Sequence, residues 1–109
     1  MLEVTVERRS APRYPMVLAA LVLELSRGAK LTARTSEISR TGCYIDTLNP
    51  SPVGSKVRLR LTHHDEIFEA VGSVVATSAS LGMGIAFTEI TPDELTRLGR
   101  WLANPEGEY

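Results

Sequence analysis

The sequence predicts a small antiparallel β-barrel closed by one C-terminal helix. Three observations carry that expectation. Short alternating apolar–polar stretches recur between residues 16 and 87, and turn-forming residues separate them at close spacing. The period changes from two to helical only after Thr91. A six-stranded barrel with a flexible N-terminal arm follows, with residues 1–15 as the arm and 16–109 as a single domain.

The arm bears Arg8, Arg9 and Arg13 and ends in Pro12 and Pro15. Proline fixes its own φ and biases its predecessor, so the arm is extended or turned, not helical. Residues 16–25 are apolar in both phases: Val17, Ala19, Leu21, Leu23 and Leu25 alternate, and Leu18, Ala20 and Val22 fill the gaps. A hairpin decides for a strand, because Arg27-Gly28-Ala29 leads into Leu31, Ala33 and Thr35 facing inward. Ser39 to Gly42 is a turn whose glycine supplies a positive φ or a close backbone approach. A short strand over 43–47 and a loop over 48–55 follow. Lys56 to Thr62 alternates with three basic residues outside. His63 to Glu66 form a polar turn, and Ile67 to Thr77 a long strand with Gly72 at a bulge or close-packing point. Met83 to Phe87 is the last strand. Thr91-Pro92-Asp93-Glu94 then reads as an N-cap, a proline at the first helical position and a capping box. Leu95, Leu98, Leu102 and Trp101 make the apolar stripe, and Asn104-Pro105 ends the helix.

Composition narrows the function. One domain of 109 residues is too short for most barrel or doubly wound enzymes. The 12 basic and 13 acidic side chains remove the simplest argument for binding a nucleic-acid polymer. Residues 1–60, however, hold ten basic against five acidic side chains, and residues 61–109 hold two against eight. The first half can therefore present a local anion-binding face. Cys43 is the lone cysteine, which fits a reducing cytosol. The longest apolar run, Met16 to Leu23, is far below the roughly 20 residues a membrane span needs. Glu3 and Glu7 spoil a signal-peptide reading of the start. The chain reads as soluble, untargeted and cytoplasmic, with no membrane insertion.

No catalytic or metal-ligating set emerges. His63 and His64 are adjacent, so on a strand they face opposite ways, and one cysteine gives no zinc spacing. Cys43 and the serines lack a spaced base, and Cys43 reads as a small buried thiol. Gly82-Met83-Gly84 enters a strand, not a helix, so it is no phosphate loop. The arginines say more: guanidinium groups near one another suit a multivalent phosphate ligand and stack on flat rings.

Arg9-Ser10-Ala11-Pro12-Arg13 matches RxxxR, and Glu37-Ile38-Ser39-Arg40-Thr41-Gly42 follows as a near match to [D/N]xSxxG. With Gly82 to Phe87 closing the sheet, residues 7–103 resemble the PilZ domain family. The resemblance implies a six-stranded barrel that binds cyclic di-GMP without catalysis and without a cofactor. By it, Arg9 and Arg13 contact phosphates and stack on guanines, Ser39 and Glu37 contact guanine, and Gly42 allows the turn. Arg8 resembles the extra arginine of members that bind a stacked ligand pair. Binding would order the arm and present a surface to a downstream protein partner.

Position 37 departs from the pattern, with Glu in place of Asp or Asn. The carboxylate remains, displaced by about 1.5 Å, one methylene. That departure keeps open a degenerate PilZ-like interaction module that binds no nucleotide. A single-stranded nucleic-acid binder ranks last, because such proteins line their strands with stacking aromatics and here Tyr44 and Phe68 stand apart.

Overall fold

The computed structural model describes residues 11–104, and in it the alternating segments become strands. In chain order they are β1 (Tyr14–Pro15), β2 (Ala19–Glu24), β3 (Ala29–Ile38), β4 (Gly42–Asp46), β5 (Lys56–His63), β6 (Glu66–Ser78) and β7 (Gly82–Glu89), followed by helix α1 (Pro92–Ala103). The six longer strands run β3-β2-β5-β6-β7-β4, every pairing is antiparallel, and a β3–β4 pairing closes the ring. The barrel thus consists of two three-stranded meanders, β2-β3-β4 and β5-β6-β7, joined along β2–β5 and β4–β7. Sequence reading did not anticipate β1, which pairs Tyr14 with Ile38 and Pro15 with Glu37. The arm's last residues are therefore laid against β3.

The core settles the two-phase ambiguity of β2. Leu18, Ala20 and Val22 point inward, with Ile45, Leu59, Leu61, Phe68 and Met83 around them. The other phase, Val17 to Leu25, faces outward. Thr35 is the one fully buried polar side chain among the described residues at 0% exposure. Its hydroxyl donates to the Met16 carbonyl at 2.7 Å and accepts from the Leu18 N–H at 2.9 Å. Gly72 marks a register shift between β6 and β7, as the strand reading anticipated. At the far end of the barrel, buried Glu24 accepts from Arg27 at 2.7 and 3.3 Å and from Ser51 at 3.4 Å. That carboxylate ties the β2–β3 turn to the 48–55 loop.

The helix reading needs two corrections. Leu95 is 47% exposed, whereas Leu98, Trp101 and Leu102 are buried. The inward stripe is Glu94, Arg97, Leu98, Trp101 and Leu102, at i, i+3, i+4, i+7 and i+8, so Leu95 lies one residue out of phase. The capping box is half made. Thr91 accepts from the Glu94 N–H at 3.3 Å, but the Glu94 carboxylate takes Arg97 at 2.9 Å and the Glu69 N–H at 3.2 Å. β6–β7 pairing starts only at Val71↔Glu89, so the Glu69 N–H has no β7 partner and competes for the carboxylate.

His63 and His64 do not face opposite ways. His64 leaves the strand at φ 56°, and the two ring centres lie 4.3 Å apart. His63 also meets the Trp101 ring edge-on at 5.1 Å. The polar turn expected over His63 to Glu66 leaves Asp65 exposed, but Glu66 begins β6 and is partnered. Glu66 accepts from Arg100 and from the Trp101 indole N–H, each at 2.8 Å, and so fastens α1 to β6. Among the described residues no helix is long and apolar enough to cross a membrane.

These two donors, Arg100 first and Trp101 second, hold the Glu66 carboxyl at about 2, below its ordinary 4.5. A depressed carboxyl pKa contributes stability that is complete above the unfolded value and fades as pH falls towards the folded one. Glu66→Gln should therefore melt below wild type at neutral pH, with the gap closing between about pH 5 and 2. Melting temperatures followed across that range would refute the account if the gap stayed constant.

Candidate functional site

The site begins with a distortion in β3. Its register against β4 shifts between Thr35 and Glu37, so Ser36 is an extra residue on the β3 side. Bulges of this kind re-aim side chains. Glu37 comes to lie beside the arm, its Oε1 3.5 Å from the Arg13 guanidinium, with side chains 45% and 71% exposed. An ion pair this open to water contributes about 0–1 kcal/mol, so its partners can exchange readily for others.

Past Ile38 the chain reverses in two residues. The Ser39 N–H donates to the Gly42 carbonyl at 2.8 Å, and the Ser39 hydroxyl accepts from the Thr41 N–H at 3.2 Å. Arg40 stands exposed at the tip. Gly42 serves close approach rather than a left-handed turn. Its φ is not in the positive region, and a Cβ there would collide with the Ile85 carbonyl. The glycine thus lets β4 lie flush on β7, in the register Gly42↔Ala86.

Beside this turn a hollow of about 410 Å³ opens on the outside of the barrel, across β4 and β7. Arg13, Glu37, Ser39 and Gly42 all line it, as do Tyr44 and Ala76. The structure therefore brings together four of the six residues singled out in the sequence. Arg8 and Arg9 lie outside the described residues. Cys43 faces the core beneath, where burial pushes its thiol up to about 12, so it is no thiolate nucleophile at neutral pH. Among the described residues no group of three metal-ligating side chains occurs.

Tyr44 was the residue sequence reading missed. It pairs across the strands with Gly84, and a Cβ on Gly82 would come within 2.6 Å of its ring. The Gly82-Met83-Gly84 stretch is thus the seat of an aromatic wall. Alternation within Gly42–Asp46 could have shown it: Cys43 and Ile45 are buried, so Tyr44 must face out.

The model of the PilZ domain family matches residues 7–104. The chain belongs to the PilZ domain family. The PilZ domain of YcgR from Escherichia coli, solved with c-di-GMP, aligns with a TM-score of 0.75 at 14% identity, over 91% of this chain and 92% of that one. The PilZ domain of CeSA from a cellulose-synthesizing bacterium aligns with 0.70 at 16% identity, over 87% and 98%. MotI/DgrA, an inhibitor of motility from Bacillus subtilis, aligns with 0.75 at 17% identity over 91% of this chain. The alignment takes in 51% of MotI/DgrA, so the PilZ chain spans about half that protein's length. At these identities the likeness is one of fold. No curated protein matches the chain in sequence.

The Gly42 contact is with backbone, which cannot rotate away. Gly42→Ala should cost about 1–3 kcal/mol of stability through overpacking along β4–β7. Urea unfolding of the two proteins measures this, and an unchanged midpoint would show that β4 and β7 separate freely.

Proposed function

We propose that this PilZ domain is a non-catalytic receptor for cyclic di-GMP, held in the hollow beside the β3–β4 turn. The observation that carries the reading is convergence: Arg13, Glu37, Ser39 and Gly42 line one hollow, although Arg13 and Glu37 stand 24 residues apart. The YcgR PilZ domain, of the same fold and solved with c-di-GMP, supports the choice of ligand.

The roles follow from the chemistry of each group. Arg13, with Arg9 from the arm, supplies planar forks for the two phosphates and cationic faces for the guanine rings. Arg8 adds a further cation for a second, stacked ligand. Glu37 accepts N–H groups of guanine once the phosphates draw Arg13 off its exposed pair. Ser39 offers its remaining lone-pair and donor capacity from the turn, and Gly42 allows the turn to sit flush on β7 beside the hollow. Ligand binding then fixes the arm over the hollow, hinged where Tyr14 and Pro15 already lie on β3, and the arm with its ligand forms the surface a protein partner reads.

Calorimetric titration with cyclic di-GMP tests this. Arg9→Ala and Arg13→Ala should each weaken binding by about ten- to a hundredfold, the worth of a charged hydrogen bond, and leave the melting temperature within error. In the same titration Glu37→Asp should tighten binding. Unaltered affinity in both arginine variants would overturn the assignment. A wild-type protein that binds no dinucleotide at all would favour the interaction module instead.

A further inference from the structure

The outward face of β2 is not explained by nucleotide binding. In an antiparallel sheet with one wet side, strands alternate apolar and polar, and a strand apolar on both sides belongs where both sides are covered. β2 is apolar on both. Ala19, Leu21 and Leu23 run along its outer side, continued by Val17 before the strand and Leu25 after it, which are 68% and 40% exposed. The two neighbouring strands flank this stripe with cations. Leu23 lies between Lys30 and Arg58, Leu21 between Thr32 and Arg60, and Ala19 between Arg34 and Thr62. Lys56 continues the β5 row. Among the described residues only Arg60 of these five cations has a carboxylate partner, Glu69 at 2.8 Å.

We infer that the outer face of β3-β2-β5 docks a protein segment with an apolar spine and acidic flanks. Strands lie about 4.8 Å apart, so the cationic rows stand about 10 Å apart, close to the width of a helix or of one strand with its side chains. Leu23 is half-buried between the longer Lys30 and Arg58 side chains, and Leu21 is half-buried beside Arg60, whose stems shield them. A recessed stripe receives an apolar ridge from a partner, but it cannot project into lipid. The face carries no aromatic on which a base would stack, which disfavours single-stranded nucleic acid. Acidic flanks on the partner complete the charge complementarity. In the ring of strands this face lies opposite the β4–β7 hollow, so the inference stands independently of the nucleotide reading.

The probe is a fluorescein-labelled peptide of alternating Leu and Glu, added to the full chain and followed by anisotropy. Binding should saturate, weaken with salt, and fall by about tenfold for the Leu–Gln counterpart and for Lys30→Glu/Arg58→Glu. Leu23→Ser should weaken it as well, with thermal melting confirming that each variant is folded. Arg13→Ala should leave it unchanged. Equal binding of the Glu and Gln peptides, no saturable binding, or preference for phosphatidylglycerol vesicles or oligo-dT over the peptide would each overturn the inference.

Discussion

One buried hydroxyl sets the geometry on which the barrel depends. Thr35 takes the carbonyl of Met16 and the N–H of Leu18, and so pins the chain to β3 just before β2 begins. A buried backbone group left without a partner costs about 1–3 kcal/mol. The chain therefore enters the barrel at one point. From that point Ala20 and Val22 must face the core, and Tyr14 and Pro15 must lie beside Ile38 and Glu37. The register shift that follows Thr35 lies in the β3–β4 seam that closes the ring and re-aims Glu37 towards the arm. Barrel closure and the placement of Arg13 against Glu37 have a common origin.

How far the sequence discloses this depends on whether a feature is local. Lys56 to Thr62 alternates cleanly and forms the expected strand with Val57, Leu59 and Leu61 inside, because each side chain answers to its own face. The Thr91 cap and Pro92 fix the start of the helix for the same reason. Local rules fail where a distant group competes. Glu94 abandons the capping box for an N–H on β6, and Glu66 leaves its turn to hold Trp101. Leu95 looks like a stripe residue until Trp101, with its larger surface, sets the phase of the helix.

The family resemblance gathers the candidate residues around one ligand, but motif spacing by itself supplies no geometry. Motif spacing picked out Arg13, Glu37, Ser39 and Gly42, yet nothing in that spacing says that one hollow gathers them. Tyr44 escaped because its two glycine neighbours on β7 lie some forty positions away, and only the β4–β7 register brings them beneath the ring. The sequence allows Gly42 either a positive-φ turn or a close approach, and only the Ile85 carbonyl decides between them. The two-sided apolar character of β2, which leaves the inward phase open in the sequence, is a property of the fold.

The two meanders give these surfaces a common dependence. Within each meander, strands meet through short turns, which form early and locally. The two joints between meanders are different, since β2–β5 matches Ala19 with Thr62 and β4–β7 matches Gly42 with Ala86. The hollow straddles one joint, and the cation-flanked leucine face straddles the other. Neither exists on a separated half of the molecule. A chain cut in the 48–55 loop would keep every residue of both surfaces, yet would display them only while its halves held together. Each surface thus reports on completed folding, and anything that occupies either one holds the two halves shut.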